Sequence, residues 1–280
     1  MRAQRGKILS EEMVEGKDAR LRRRVPAGGR GDAARVFRHG PRLHSGWASG
    51  GGLSPYNGPV TTQDDVFVRS EGDRWFERNA ESLAAVDLGA DVPLRLAELY
   101  GLKPSSVLEV GAANGYRLHA FHQRYGCRVV GVDVSAAAIA DGQARFPEVQ
   151  FHRARGHRLP VREEFDLVVT NFVLHWVDRR HLLQSLAEID RATRDGGFVI
   201  IGDFLPRVPA RRAYHHLAGG GVFTYKQDYA EILLATGLYR TVAMLSSDHA
   251  THALSAAAAE DERVGTWLLA KDVAGPYVEG

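Results

Sequence analysis

The sequence is almost free of cysteine, since Cys127 is the single one among 280 residues. One cysteine can neither close a disulfide within the chain nor build a cysteine cage for a metal, so we expect a reducing compartment. The sequence also has no apolar run of membrane-spanning length, and its arginine-rich start lacks the apolar core of a secretory signal. We therefore expect a cytoplasmic protein that does not bind membranes.

The chain has no large excess of either charge, because 36 Lys/Arg face 34 Asp/Glu. The balance is uneven: residues 1–50 hold 12 Lys/Arg against 5 Asp/Glu, which leaves 24 against 29 for residues 51–280. An acidic body lacks the clustered positive charge that binds phosphate backbones, so we expect no nucleic acid partner. Residues 1–60 are rich in Arg and Gly without apolar periodicity, which predicts a disordered tail before one domain over residues 61–280.

A glycine-containing turn at residues 107–118 organises that domain. Apolar residues around Glu109 predict a strand, Gly111 and Gly115 follow in GxxxG spacing, and a helical pattern begins at once. This is not the GxGxxG spacing of a dinucleotide turn, and Glu109 would repel phosphate but pair with a cationic ligand group. The turn predicts a ligand that is a positively charged nucleoside without phosphate, as S-adenosylmethionine is. The alternative is a plain turn in another doubly wound domain.

A second buried strand pattern, residues 128–132, ends in Asp133 about twenty residues beyond the glycine turn. In a βαβ unit this spacing brings a carboxylate to the tip of the neighbouring strand, where it can accept both hydroxyls of a ribose. The alternative is that Asp133 caps the helix starting near Ser135, although Ser135 is itself a competent cap.

The turn from Glu109 to Gly115, together with residues 165–203, resembles the motifs of class I SAM-dependent methyltransferases of the small-molecule group. The resemblance extends over about residues 64–272 and implies S-adenosylmethionine as the cofactor. It also implies an α/β fold: a mostly parallel seven-stranded sheet closed by a C-terminal antiparallel hairpin, with helices on both faces. The residues expected to contact the cofactor are Glu109, Gly111, Ala112, Ala113, Gly115, Asp133, Val134, Arg155 and Asn171.

Arg155 is a departure from the family pattern, which often has an aspartate there for the adenine amino group. We expect its guanidinium to stack on the adenine ring, or a backbone group to take over the contact.

Two segments are expected to face the methyl acceptor. Residues 64–100 resemble a helical cap, although a helix packed on the sheet is the alternative, and we expect Asp73 near the start of its helix. Residues 204–228, dense in Tyr, His and Arg at the end of a strand, suit a substrate loop. The residues expected to bind the substrate are Trp75, Trp176, Tyr214 and Tyr225.

Methyl transfer from a sulfonium depends mostly on positioning, and it needs a base only when the acceptor carries a proton. The candidate bases are His175, beside the tip of the fourth strand, and His215 and His216 in the substrate loop. Alternatively, His175 only packs on Trp176. His119 and His122 are three residues apart on a helix without a third ligand, so no metal site is predicted.

These residues favour methyl transfer to a small molecule by a monomer or homodimer, most simply O-methylation of a natural product or a sugar-type acceptor. Two other interpretations remain open: an NAD(P)-dependent oxidoreductase or epimerase, and a protein that binds S-adenosylmethionine without catalysis. For the second half of the sheet we predict a helix over 181–194, a turn at 195–197, a strand over 198–202, a helix over 228–236, and final strands at 242–245 and 266–270.

Overall fold

The computed structural model describes residues 62–217 and 221–275. The predicted disordered tail, residues 1–60, lies outside the described residues. Within the described ranges, no helix combines the length and the apolar character needed to cross a membrane.

The core of the fold is a seven-stranded sheet with the strand order β3-β2-β1-β4-β5-β9-β8. The first five strands in this order are parallel, and β9 and β8 are antiparallel, so the predicted fold class is confirmed. The strands are β1 Ser106–Val110, β2 Arg128–Asp133, β3 Gln150–Arg153, β4 Phe165–Asn171, β5 Thr193–Phe204, β8 Tyr239–Asp248 and β9 Arg263–Lys271.

Alternate residues of the strands belong to two apolar cores, one on each face of the sheet, because successive side chains of a strand point to opposite faces. In β1, Val107 packs with residues of the helices on one face and Leu108 with those on the other. The helices are α1 Gln63–Val66, α2 Gly72–Ala84, α3 Val92–Leu99, α4 Tyr116–Tyr125, α5 Ala136–Arg145, α6 Leu182–Ala192 and α7 Ala230–Leu234. Helices α3 and α4 supply one core, and α6 and α7 the other.

The prediction for the end of α6 was partly wrong. The helix ends at Ala192, and Thr193 already pairs with Phe165 at the start of β4. The next pair is Leu167 with Phe198, so the predicted turn is an irregularity inside β5 that contains Gly196 at a φ of 69°. The final hairpin is longer than predicted and α7 is shorter.

One long helix precedes the sheet: α1, a π-helical segment over Phe67–Glu71, and α2 follow without interruption. A capping box between Thr62 and Asp65 starts it, so it begins earlier than predicted. Asp73 lies in the first turn of α2, as expected, but α2 continues a helix that already starts at Gln63. The Asp73 carboxylate accepts hydrogen bonds from the Ser135 hydroxyl at 2.7 Å and the backbone N–H of Ala137 at 3.1 Å, at the beginning of α5. We call α1, the π-helical segment and α2 the cap helix.

The segment 204–228 contains a small antiparallel pair, β6 Ala210–Ala213 with β7 Phe223–Lys226. Gln63 at the start of the cap helix donates to the carbonyls of Trp176 and Phe223, each at 2.7 Å. The cap helix, β7 and the loop that follows β4 therefore meet beyond the carboxyl ends of the strands, where parallel sheets bind ligands.

Candidate functional site

The glycine turn after β1 is held in a conformation that few residues other than glycine adopt. Gly111 and Gly115 have φ values of 76° and 77°, and Ala113 between them has a φ of 48°. The N–H groups of Gly111 and Ala112 both donate to the carbonyl of Val132 in β2, at 2.7 and 3.1 Å. The turn is therefore fixed to the neighbouring strand at the point where a ligand would approach its backbone.

Gly111→Ala should lower the free energy of unfolding more than Gly126→Ala does. A Cβ at Gly111 would overlap the Val173 side chain, whereas one at Gly126, at a φ of 64°, would meet no atom within 4 Å. The positive φ costs each variant about 1–2 kcal/mol, and the overlap costs Gly111→Ala a further 1–3 kcal/mol. Urea unfolding measures the difference. Equal losses, or no partial rescue of Gly111→Ala by Val173→Ala, would contradict this account.

Asp133 lies at the tip of β2, directly beside the glycine turn. Its two carboxylate oxygens accept the N–H groups of Ala113 and Ser135, both at 2.8 Å. Burial raises the pKa of Asp133, against the effect of these N–H groups. The alternative role as helix cap was wrong, because the Ser135 hydroxyl accepts the N–H of Ala138 and caps α5. A carboxylate offers about four acceptor positions, so Asp133 retains capacity for two ribose hydroxyls.

Val134, the residue after Asp133, lies against the cap helix. A Cβ built on Gly72 would be 3.0 Å from Cγ2 of Val134. The carbonyl of Val134 accepts the Arg153 Nε–H at 3.0 Å. The cap helix thus passes directly over the tip of β2.

Glu109 is buried in β1 and binds a partner that the sequence analysis missed, Arg117. Arg117 also forms an ion pair with Asp91 at 2.9 Å, with all three side chains less than 10% exposed. Burial raises the pKa of Glu109 to about 7, although the Arg117 guanidinium opposes the shift. The second carboxylate oxygen of Glu109 and the side-chain oxygen of Asn114 are buried without a partner among the described residues.

Arg117→Met should lower the free energy of unfolding by about 3–5 kcal/mol, because two buried carboxylates lose their counter-ion. The pKa of Glu109 is raised in the folded state, so its protonated form is favoured by folding and stability falls as pH rises above the unfolded value. Without the Arg117 guanidinium, the pKa of Glu109 rises further. The loss of unfolding free energy in Arg117→Met should therefore be larger at pH 8 than at pH 5. Glu109→Gln, which leaves Asp91 paired with Arg117, serves as the milder control. A pH-independent defect would show that Glu109 does not titrate.

The side chains of Arg155 and Asn171 lie against other residues of this chain. The Arg155 guanidinium forms an ion pair with Asp65 in the cap helix at 2.7 Å. A Cβ on Gly202 would overlap the amide oxygen of Asn171, so that side chain lies over β5. Contacts of these two residues with a cofactor stay predictions.

His175 pairs with a second residue that was not assigned a role, Asp203 at the end of β5. His175 Nδ1 lies 2.9 Å from Asp203 Oδ1, and the two side chains are 2% and 4% exposed. The Asp203 carboxylate also accepts the backbone N–H groups of His175 at 3.2 Å and Phe204 at 2.8 Å. His175 does pack on Trp176, with ring centroids 4.3 Å apart, but it is more buried than the packing alternative assumed. An aspartate on Nδ1 leaves Nε2 to accept a proton.

Glu71 of the π-helical segment is a further buried carboxylate, and it contacts one member of an aromatic cluster. The Tyr214 hydroxyl donates to Glu71 at 2.9 Å, and Arg78 bonds to both. Glu71 is completely buried and its second oxygen has no partner among the described residues. The rings that gather around Trp176 are Phe67 at 5.3 Å, Tyr214 at 5.6 Å and Trp75 at 6.1 Å. π-Helical turns occur often at functional sites, but a sequence pattern does not reveal one.

The other predicted site residues lie at the edge of this cluster or outside it. His215 and His216 are exposed and have their rings 3.9 Å apart, beside Tyr214. The ring of Tyr225 lies under the Arg179 guanidinium, whose carbon is 4.4 Å from the ring centroid. Their roles as base or substrate contact stay predictions.

The two helical histidines have separate partners, because His119 pairs with Glu148 and His122 with the carbonyl of Cys127.

Residues 107–197 match the family model described as a methyltransferase domain. A malonyl-[acyl-carrier protein] O-methyltransferase of Halorhodospira halophila is 30% identical over 154 residues, which are 53% of this chain and 52% of that protein. A trans-aconitate 2-methyltransferase of Yersinia pestis is 29% identical over 174 residues, which are 61% of this chain and 63% of that protein. The chain thus spans about half the length of the first of these relatives.

Among solved structures, the 1,6-didemethyltoxoflavin-N1-methyltransferase of Burkholderia thailandensis, determined with bound S-adenosylhomocysteine, has a TM-score of 0.58. It is 16% identical, and the similarity covers 78% of this chain and 94% of that one. This likeness shows the shared fold.

Proposed function

We propose that this chain transfers the methyl group of S-adenosylmethionine to a small-molecule acceptor, because residues 107–197 match a methyltransferase domain and the relatives named above are methyltransferases. The observation that carries the proposal is the pairing of Asp133 with the glycine turn inside the matched residues. The Ala113 N–H donates to the Asp133 carboxylate at 2.8 Å. The proposed acceptor of the ribose hydroxyls therefore lies directly beside the backbone turn that the ligand would approach.

The residues around this unit suit the cofactor chemically. Asp133 would hold the ribose hydroxyls, and the turn from Gly111 to Gly115 would admit the ligand close to its backbone. One side-chain oxygen each of Glu109 and Asn114 finds no donor within residues 62–217 and 221–275, and the α-ammonium group of S-adenosylmethionine is a donor. When bound, the cofactor supplies an electrophilic methyl group on a sulfonium leaving group.

The acceptor side supports O-methylation of a planar, phenol-type natural product over a sugar-type acceptor. We propose that His175, oriented by Asp203, takes the hydroxyl proton as the methyl group is transferred. Trp176, which packs against Phe67 and Tyr214, would provide an aromatic surface for a flat acceptor. The Glu71 oxygen that has no partner among the described residues would accept a hydrogen bond from it. The two relatives named above act on malonyl-[acyl-carrier protein] and trans-aconitate by their names, so a carboxylic acid is the second candidate acceptor.

Isothermal titration of the full chain with S-adenosylmethionine, S-adenosylhomocysteine and NADH tests the cofactor. We expect micromolar binding of the two adenosyl ligands and none of NADH. Binding of NADH alone would restore the oxidoreductase or epimerase interpretation.

Transfer itself is tested with methyl-labelled S-adenosylmethionine against matched sets of phenols, alcohols, carboxylic acids and amines. Label should pass to phenols first. Tight cofactor binding with no transfer to any set would favour a protein that binds S-adenosylmethionine without catalysis.

A further inference from the structure

Two histidines and one aspartate from three distant segments converge beside the cap helix. Asp64 lies in α1, His157 in the loop after β3, and His181 at the start of α6. One nitrogen of each histidine and one oxygen of Asp64 all lie within 4.8 Å of one another. Within the described residues, no other group of three such side chains meets this condition.

The distances place both imidazoles on the same carboxylate oxygen. Asp64 Oδ2 lies 2.5 Å from His181 Nδ1 and 3.3 Å from His157 Nδ1. The ligand atoms of a tetrahedral zinc site, at about 2.0–2.2 Å from the metal, are about 3.3–3.5 Å from one another. The His157 contact already has this spacing, and the His181 contact needs to lengthen by only about 1 Å.

The surroundings of the three side chains suit a fixed ligand set. The other oxygen of Asp64 accepts the backbone N–H of Asp178 at 2.8 Å, which orients the carboxylate as a partner outside a metal's ligand shell does. The two rings are stacked, with centroids 4.0 Å apart.

The cluster also has a route to solvent. Its side chains are 9% exposed at Asp64, 13% at His157 and 24% at His181. His157 lines a cleft of about 340 Å³ together with Ala154, Arg155 and Arg158. An ion can therefore enter from the cleft, and water from it can fill a fourth ligand position.

We propose that Asp64, His157 and His181 bind a divalent transition-metal ion, with Zn²⁺ as the first candidate, and that the ion fixes the start of the cap helix to the sheet. Two imidazoles and one carboxylate are the donor set of many zinc sites with an open position. The Nδ1 atoms give up their hydrogen bonds to Asp64 and coordinate the ion, and each ring carries its proton on Nε2 instead. Both histidines stay neutral, so no net proton is released from them.

The test uses the tag-free full chain, freed of metal by a chelator and titrated with ZnCl₂. We expect one Zn²⁺ per chain and a melting temperature about 5–10 °C higher when free zinc is about 100 times its dissociation constant. Co²⁺ in place of Zn²⁺ should give the visible absorption bands of a four- or five-coordinate site. No binding, or no spectrum from Co²⁺, would overturn the proposal.

Variants separate a metal site from a hydrogen-bonded cluster. His157→Ala and His181→Ala should each weaken Zn²⁺ binding at least about tenfold, and the double variant should abolish it. The matched control is His119→Ala, which removes a part-exposed histidine that also pairs with one carboxylate. Binding that persists in the double variant would place the ion elsewhere, for example on His39 and His44. These readouts do not depend on methyl transfer.

Discussion

His175→Ala should lower kcat by about 10²–10⁴-fold while leaving the affinity for S-adenosylmethionine unchanged. His175 is the base in the proposed reaction, and its Nδ1 is held by Asp203 at 2.9 Å, so that Nε2 can take the acceptor proton. The loss should be confined to acceptors that must lose a proton. Rates measured at saturating acceptor and cofactor, with the cofactor dissociation constant taken by titration, separate the two effects.

Asp203→Asn tests the same pair from the other side. The amide oxygen can replace Oδ1 as the acceptor for the Phe204 N–H and His175 Nδ1, but the NH₂ group replaces Oδ2 and cannot accept the backbone N–H of His175. The amide is also uncharged and no longer stabilises a protonated imidazole. We expect about a 10²-fold loss of kcat and no additional loss when Asp203→Asn is combined with His175→Ala, because both variants disable one unit.

The control for a loss of packing is the joint variant His215→Ala and His216→Ala, whose exposed rings lie beside Tyr214. It should retain most of the turnover. Full activity of His175→Ala, together with a large loss in this control, would move the role of base to the substrate loop. If the melting temperature of His175→Ala falls so far that the variant is unfolded at the assay temperature, the loss of activity would assign His175 a structural role only.

The cofactor side of the site could be predicted from the sequence because its signals are local. Each is a short apolar run that ends in a turn or an acid, and parallel strands bring those ends to one edge of the sheet. Asp133 is next to the glycine turn in the structure for this reason. Asp203 directly follows the predicted strand over residues 198–202, but nothing in the sequence pairs it with His175.

On the acceptor side, Trp75, Trp176 and Tyr214 could be named from the sequence and do meet. Their polar partners could not be predicted, because those contacts join distant segments. Glu71 and Tyr214 are 143 residues apart and meet only because the cap helix crosses the sheet edge. Asp64 and His181 are 117 residues apart. The capping box of Thr62 and Asp65 is present in the sequence, but no sequence pattern shows that the helix it starts continues through a π-helical segment into α2.

Glu109 has a contact within the protein in addition to its predicted role toward a ligand. Glu109 was expected to meet a cationic ligand group, and the structure gives its first oxygen to Arg117 from the helix behind the turn. The second oxygen remains without a partner among the described residues. A buried acid can thus serve the fold and still offer one acceptor to a ligand.

Asp133→Ala should weaken S-adenosylmethionine binding by about 1–3 kcal/mol, or about 5–150-fold in the dissociation constant. The variant leaves two ribose hydroxyls without a charged acceptor. It also frees the N–H groups of Ala113 and Ser135, so a general loosening of the site must be separated from the ribose contact. Asp73→Ala is the matched control, since it removes another carboxylate from the start of α5 without touching the glycine turn.

The ribose contact itself is measured by changing the ligand as well as the protein. For the wild-type chain, S-adenosylhomocysteine should bind at least about fivefold more tightly than its 2′-deoxy analogue, because the hydroxyl loses a charge-assisted hydrogen bond. In Asp133→Ala the two ligands should bind alike, whereas Asp73→Ala should keep the wild-type ratio. An unchanged ratio in Asp133→Ala would mean that Asp133 only anchors the turn through Ala113, and that the ribose is held by another group.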